Sequence, residues 1–302
     1  MDKRTSTLLK KELREQLHSL KFLASLVLLV FASLVSGFGG VNMIRSLENW
    51  LGREIHLFLG LSNSLGLSFR EIALIYSPLF VILISVDAIS REFESRNIIR
   101  LFSTPITRRQ FLMVKMSSTF LFAIIIGLVS TIIPTYIIYS NVKRVLTLDD
   151  LARVLLYLYV YVIYLCIWGT ISLVLSGFFK RTTYSLSIAI ISFIIITFLW
   201  LPFSIFISGL YNIEPIERIK IERSIRMFSI KEIFDKTFNF LLNPHYIGIS
   251  NGEWLFDWNK TINFSESFSL VFGEILLLTA SLFLLVLVYF RMAENIQVKP
   301  RI

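Results

Sequence analysis

The chain has 302 residues and a net charge of +9; 55% of it is hydrophobic and 17% charged, against about 25% charged in an ordinary soluble domain. The charge deficit is concentrated in long uncharged runs, so the solvent to expect is a bilayer, in which each helical crossing takes about 20 apolar residues. Runs as solid as Ile188 to Trp200 lack the alternation of a membrane barrel strand, and the basic residues sit beside apolar runs instead of in a polar domain. A barrel and a nucleic-acid partner are thereby set aside, and the expected fold class is an all-α membrane protein.

In chain order, residues 7–21 place Leu9, Leu13, Leu17 and Leu20 on one helical stripe, with Lys10, Lys11, Arg14 and Lys21 on the rest. That pattern predicts a basic amphipathic helix in the headgroup plane. Six spans follow: Phe22 to Val41, Glu71 to Asp87, Ser117 to Tyr139, Val154 to Leu175, Tyr184 to Ile207 and Ser269 to Phe290. The first is longer than the core of a secretory leader and is read as a retained span. Pro78, Pro134 and Pro202 fall inside spans and are expected to kink them, because neighbouring helices can satisfy the freed backbone groups. Glu274 is the acid in the last span. Eleven Leu, Ile, Val or Phe residues between Ile275 and Val288 outweigh the roughly 3 kcal/mol that one carboxylate costs.

Lys and Arg sort unevenly among the connections. With both termini inside, the inner segments hold 17 of the 30 basic residues, and the short outer loops hold 6. This places both termini in the cytoplasm. The outer segment 208–267 mixes Glu214, Glu217, Arg218, Lys220, Glu222, Arg223 and Arg226 like a helical surface of both signs. Trp254 and Trp258 suit an interface, and Asn259 and Asn263 open two glycosylation-type triplets. His18, His56 and His245 are scattered, and Cys166 stands alone in an apolar run. No metal centre or disulfide is expected from them. No phosphate-cradling glycine loop occurs, so the chain is expected to bind no nucleotide, to carry no catalytic site and to need no cofactor of its own.

The inner loop after the second span, Asp87 to Lys115, carries the most information. It predicts a short charged helix over 88–104 with Phe93, Asn97, Ile98, Leu101 and Phe102 along one stripe, broken by Pro105. An apolar stripe on a cytoplasmic helix asks for headgroups or a partner groove. Glu92 and Glu94 gain nothing from an anionic lipid surface. With Phe93 they are the residues most expected to touch a partner, whereas Arg108 and Arg109 serve equally well as membrane anchors.

The same stretch resembles the ABC-2-type permease family. Asp87, Ser90, Arg91 and Glu92 match that family's helix entry; Leu101, Ser103, Pro105, Ile106, Arg108 and Lys115 match its turn and re-entry. The family's Gly-Thr after the acid is replaced by Ser95 to Asn97. The N-terminal helix, the six spans and the insertion before the last span extend the resemblance over the chain, which is read as one permease domain, 1–302.

The resemblance implies an ATP-driven transporter in the plasma membrane, with export as the expected direction. A separate ATP-binding subunit would hold ATP and magnesium and grip the coupling helix through Ser90, Arg91, Glu92, Phe93, Glu94, Asn97, Ile98 and Leu101. A second permease copy or close homologue would complete the pair. Lys180 and Arg181 would make a minor second contact. The competing readings are an ion-coupled carrier, for which matched broken helices are not evident, and a membrane scaffold or force-transmitting subunit. The spans offer Ser, Thr, Tyr and aromatic side chains, which favours an apolar or amphipathic cargo.

Overall fold

The computed structural model describes residues 3–52, 61, 68–103, 106–143, 147–179, 181–210, 215–243, 245–250, 253–256 and 262–295. It is an all-α membrane protein with six helices long and apolar enough to cross a bilayer. The first helix, α1, is Lys3–Leu17. It ends sooner than the expected 21, because Ser19 caps the N-terminus of α2, Leu20–Leu51, by accepting from the Phe22 amide. The second span, α3, covers residues 69–85, with Ile72–Tyr76 in π geometry. Two short helices follow, α4 (Ser90–Glu94) and α5 (Asn97–Phe102). The remaining spans are α6, Arg108–Val142, α7, Leu148–Phe178, α8, Thr182–Leu210, and α11, Phe264–Asn295. Between α8 and α11 lie α9 (Pro215–Arg226), α10 (Ile230–Leu242) and an antiparallel hairpin of β1 (Tyr246–Ser250) and β2 (Glu253–Phe256).

Two of the span prolines have a visible local cause and consequence. Proline lacks an N–H and clashes with the carbonyl four residues back. For Pro78 that residue is Leu74, and for Pro202 it is Phe198. Both lie in π turns, Ile72–Tyr76 and Ile195–Leu199, where the backbone widens to make room. The Leu74 carbonyl is bonded from another helix, by the Tyr164 hydroxyl at 3.2 Å. Pro134, in contrast, is carried within the continuous helix α6.

The bundle closes around α7. In the most apolar stretches of α3 and α7, 67% of residues are buried, against 17% in α8 and α11, which turn most of their surface outward. Lipid is as apolar as leucine, so close packing and interhelical hydrogen bonds hold such a bundle together more than burial does. The packing is aromatic. Tyr164 of α7 stacks on Phe234 of α10 at 4.4 Å and 5°, and Tyr157 and Tyr161 stack at 5.5 Å. Trp168 meets Phe193 of α8 edge-on at 5.0 Å. Each such pair contributes about 0.5–1.5 kcal/mol beyond area alone. Gly169 lets the neighbours close in, since a Cβ there would come within 2.6 Å of Thr119 on α6.

Candidate functional site

Two places in the bundle carry polar chemistry, one at each end. At the α1 end, the loop after α3 is tied to four helices. The amides of Ile89 and Ser90 both donate to the Ser176 hydroxyl of α7 at 3.0 Å. Ser185 of α8 donates to the Val86 carbonyl at 3.1 Å, and the Thr182 hydroxyl donates to Glu94 at 2.7 Å. Lys115 of α6 is 4% exposed and donates to Glu12 of α1 at 2.7 Å and to Glu92 at 3.4 Å. Lys21 pairs with Asp87 at 2.7 Å.

These contacts alter the reading of the loop. The helix expected over 88–104 is two pieces, joined at Ser95 and Arg96, with Arg96 at φ 57° in the left-handed region. The family's Gly-Thr step is replaced at Ser95 to Asn97, so a side chain stands where the backbone favours glycine. Of the apolar stripe, Ile98 and Phe93 are covered by the chain itself, while Asn97 is exposed. Ile98 is 4% exposed, and Phe93 packs on a cluster of Ala88, Ile89, Phe111, Leu112, Leu173, Tyr289 and Met292. Ser90 is fully buried. Of the expected contact residues, Arg91, Glu94 and Asn97 face outward, joined by Ser95, Arg96 and Arg100. Ser103 is exposed and bonds the Arg100 carbonyl. Arg108 opens α6 behind the capping box of Thr107 and Gln110. The side chain of Leu101, and Pro105 and Lys180, lie outside the described residues; Arg181 is exposed over Tyr184. Between α1 and this loop is a cleft of about 660 Å³ walled by charges of both signs, including Glu15, Asp87, Arg91 and Glu92.

α1 is correspondingly less free than a helix lying on headgroups. Glu12 and Gln16 face α6, where the Ser118 hydroxyl donates to Gln16 at 2.6 Å. Lys10, Lys11 and Arg14 are the exposed face.

The insertion behaves differently from the polar surface expected of 208–267. It begins after Leu210, and α9 and α10 fold back into the bundle. The Trp200 indole donates to the Ile225 carbonyl at 3.2 Å, and at the connection between the two helices Ser229 and Lys231 donate to the carbonyls of Ile196 and Thr197 at 3.4 and 3.2 Å. Thr197 is within a residue of the midpoint of Thr182–Leu210, and Phe234 stacks at the middle of Leu148–Phe178. The tip of the helical hairpin formed by α9 and α10 therefore reaches half the depth of the bundle. Both carbonyls taken up by the tip, Ile196 and Thr197, lie in the π turn Ile195–Leu199 just before Pro202.

At this tip Arg226 pairs with Glu232 at 3.0 Å and with Glu222 at 3.7 Å, and Lys231 lies 3.9 Å from Glu232. All four side chains keep 14–31% of their surface. Along α9, Glu217, Lys220 and Ser224 form an exposed polar face. Charges at this depth face protein or water. α11 starts at Phe264, so Glu274 lies ten residues inside the helix, where Lys236 of α10 pairs with it.

Above the tip the hairpin is fixed to the bundle by two arginines. Arg70 makes a bidentate bond to Asp235 of α10 at 2.7 and 2.6 Å. Arg153 of α7, counted from sequence as an outer-loop charge, has no exposed surface. Its guanidinium donates to Asp149 at 2.8 Å, to the Leu241 carbonyl at 3.2 Å, to Ser267 at 3.0 Å and to the Ile262 carbonyl.

The amphipathic repeat Ile230, Ile233, Phe234, Phe238, Leu241 was the sequence signal for an embedded α10. Among the described residues no group of His, Cys, Asp or Glu could hold a metal. Cys166 is buried and free. His18 bonds the Arg14 carbonyl, the backbone amide of the buried His245 donates to Asn243, and His56 lies outside the described residues. Trp254 is in β2, Asn263 is exposed just before α11, and Trp258 and Asn259 lie outside the described residues.

A search of curated proteins gives no match. The family model described as ABC-2 family transporter protein matches residues 6–293. With six apolar helices and a family match over nearly its whole length, the chain belongs to the ABC-2 family of transporter proteins.

Proposed function

We propose that this membrane subunit is the permease of an ABC exporter in the plasma membrane, with its α1 end in the cytoplasm and a separate ATP-binding subunit docked on α4 and α5. The observation that carries the reading is mechanical. The loop presents Arg91, Glu94, Arg96, Asn97 and Arg100 outward, while its base is bonded to α7, α8 and, through Lys115, to α6 and α1. Force applied to that outer face enters four helices at once. The 17 basic residues of the inner segments support this orientation. ATP and magnesium belong to the partner in this scheme, and a second permease subunit covers the outward surface of α8 or α11. At the opposite end, the exposed polar face of α9 lines a water-filled approach that descends to the hairpin tip. The cargo route is then more polar than the apolar spans alone suggest.

Copurification tests the docking. The triple variant Arg91→Glu, Arg96→Glu, Arg100→Glu is expected to lose the ATP-binding subunit from a tagged permease while inserting normally. The pair Glu92→Lys, Phe93→Lys acts on the loop's attachment instead and should lower thermal stability too. Undiminished recovery of the ATPase with the triple variant would sink the docking face.

A further inference from the structure

At the α1 end, the first turn of α6 and the last turns of α11 leave the apolar layer side by side, joined where the Tyr289 hydroxyl donates to the Leu112 carbonyl at 3.1 Å. A groove of about 700 Å³ lies between them, apart from the coupling loop. Its rim holds Arg108, Arg109 and Arg291, and its wall holds Leu284, Leu287 and Phe290. The three arginines are exposed, and none is ion-paired among the described residues. This sets them apart from Lys21 and Lys115 nearby, which both have carboxylate partners. The Arg109 guanidinium is 5.9 Å from the Phe290 ring centroid, which holds it against the groove.

The order of residues fixes what sits at which depth. Arg291 follows the apolar run of α11, and Arg108 and Arg109 precede that of α6. Leu287 and Leu284 lie one and two turns deeper and are 46% and 61% exposed. Three cations at headgroup level above an open apolar wall match a molecule with an anionic head and a hydrocarbon tail. We propose that this groove is a binding site for an anionic phospholipid, its phosphodiester held by the three guanidiniums and one acyl chain laid along Leu284 and Leu287. Guanidinium forks fit phosphate oxygens in pairs, and basic pockets between spans collect such headgroups. A choline lipid brings the same phosphate with a cation attached, which three arginines repel. A soluble phosphate makes no use of the wall. The inference does not depend on the docking of an ATPase.

The test is native mass spectrometry of the full chain in detergent, titrated with phosphatidylglycerol or phosphatidylcholine. Phosphatidylglycerol adducts should survive at collision energies that strip phosphatidylcholine. Each arginine is expected to be worth about fivefold in affinity, so Arg108→Gln, Arg109→Gln, Arg291→Gln together should weaken phosphatidylglycerol by on the order of 100-fold. Arg291→Gln alone, the milder change, should weaken it about fivefold. Removing the same charge from α1 with Lys10→Gln, Lys11→Gln, Arg14→Gln should leave the adducts unchanged. The proposal is overturned by equal retention of the two lipids, by an equal loss in the α1 variant, or by displacement of the lipid with glycerol 3-phosphate.

Discussion

Replacing Arg153 by methionine isolates what the insertion contributes to the bundle. The side chain is wholly buried and connects three elements: α7 through Asp149, α10 through the Leu241 carbonyl, and the start of α11 through Ile262 and Ser267. Methionine keeps the stem and removes every donor. Asp149 is 41% exposed and still accepts from the Phe264 amide at 2.8 Å, so it recovers water and one partner. The carbonyls of Leu241 and Ile262 belong to buried residues and lose their donor at about 1–3 kcal/mol each. The sum, about 4 kcal/mol, agrees with the 3–5 kcal/mol typical of breaking a buried charged pair. At roughly 2–4 °C per kcal/mol for a chain of this class, the midpoint should fall by on the order of 10 °C. Heating detergent-solubilised protein and following the monodisperse peak by fluorescence-detected size exclusion measures it. Lysine should rescue less than half, because one ammonium cannot reach three elements from a single fork position. A methionine variant within about 2 °C of the parent would refute the idea that this residue staples the hairpin to the spans.

Three further outcomes follow from local geometry. Arg96→Gly relieves a left-handed residue, for which a side chain costs about 1 kcal/mol; the melting midpoint should rise by a few degrees, and a fall would show that the conformation is not strained. Gly169→Val puts a branched side chain where even a Cβ would come within 2.6 Å of Thr119 and 3.1 Å of Val81; a loss of about 1–3 kcal/mol is expected, read as reduced yield of folded protein, and normal yield would contradict the close packing. Ser224→Cys, in a background where buried Cys166 is replaced by serine, should react with a membrane-impermeant thiol reagent added to the side opposite α1. Reaction only with a lipid-soluble maleimide would place α9 against lipid.

Much of the architecture can be read from composition because the spans are nearly uninterrupted apolar runs, and in lipid that pattern admits few folds. The helix ends were harder. Leu20 starts α2 and Phe264 starts α11, two and five residues ahead of the apolar windows at Phe22 and Ser269, since caps and paired charges extend a helix beyond its lipid-facing part. Windows of hydropathy also hid α10: Lys231, Glu232, Asp235 and Lys236 lower its average, although Phe234 and Phe238 pack into the centre of the bundle. The internal ion pair of Glu92 was hidden for a related reason. Glu92 looked unpartnered because Lys115 is 23 residues further on and Glu12 is 80 residues earlier, and nothing local links α1 to the re-entry of α6. Arg153 had a visible i,i+4 partner in Asp149, but no pattern said that the arginine would turn inward.

The half-depth hairpin has an electrical consequence. In the proposed scheme, in which water reaches its tip, most of the transmembrane voltage drops across the remaining half of the layer, and any charge displaced there does work of about 2.3 kcal/mol per 100 mV for a full crossing. Glu222 and Glu232 carry two negative charges, and Arg226 and Lys231 two positive ones. Shifted as one unit, the group carries no net charge through the field, so the tip can change position without its equilibrium being set by the cell's resting potential.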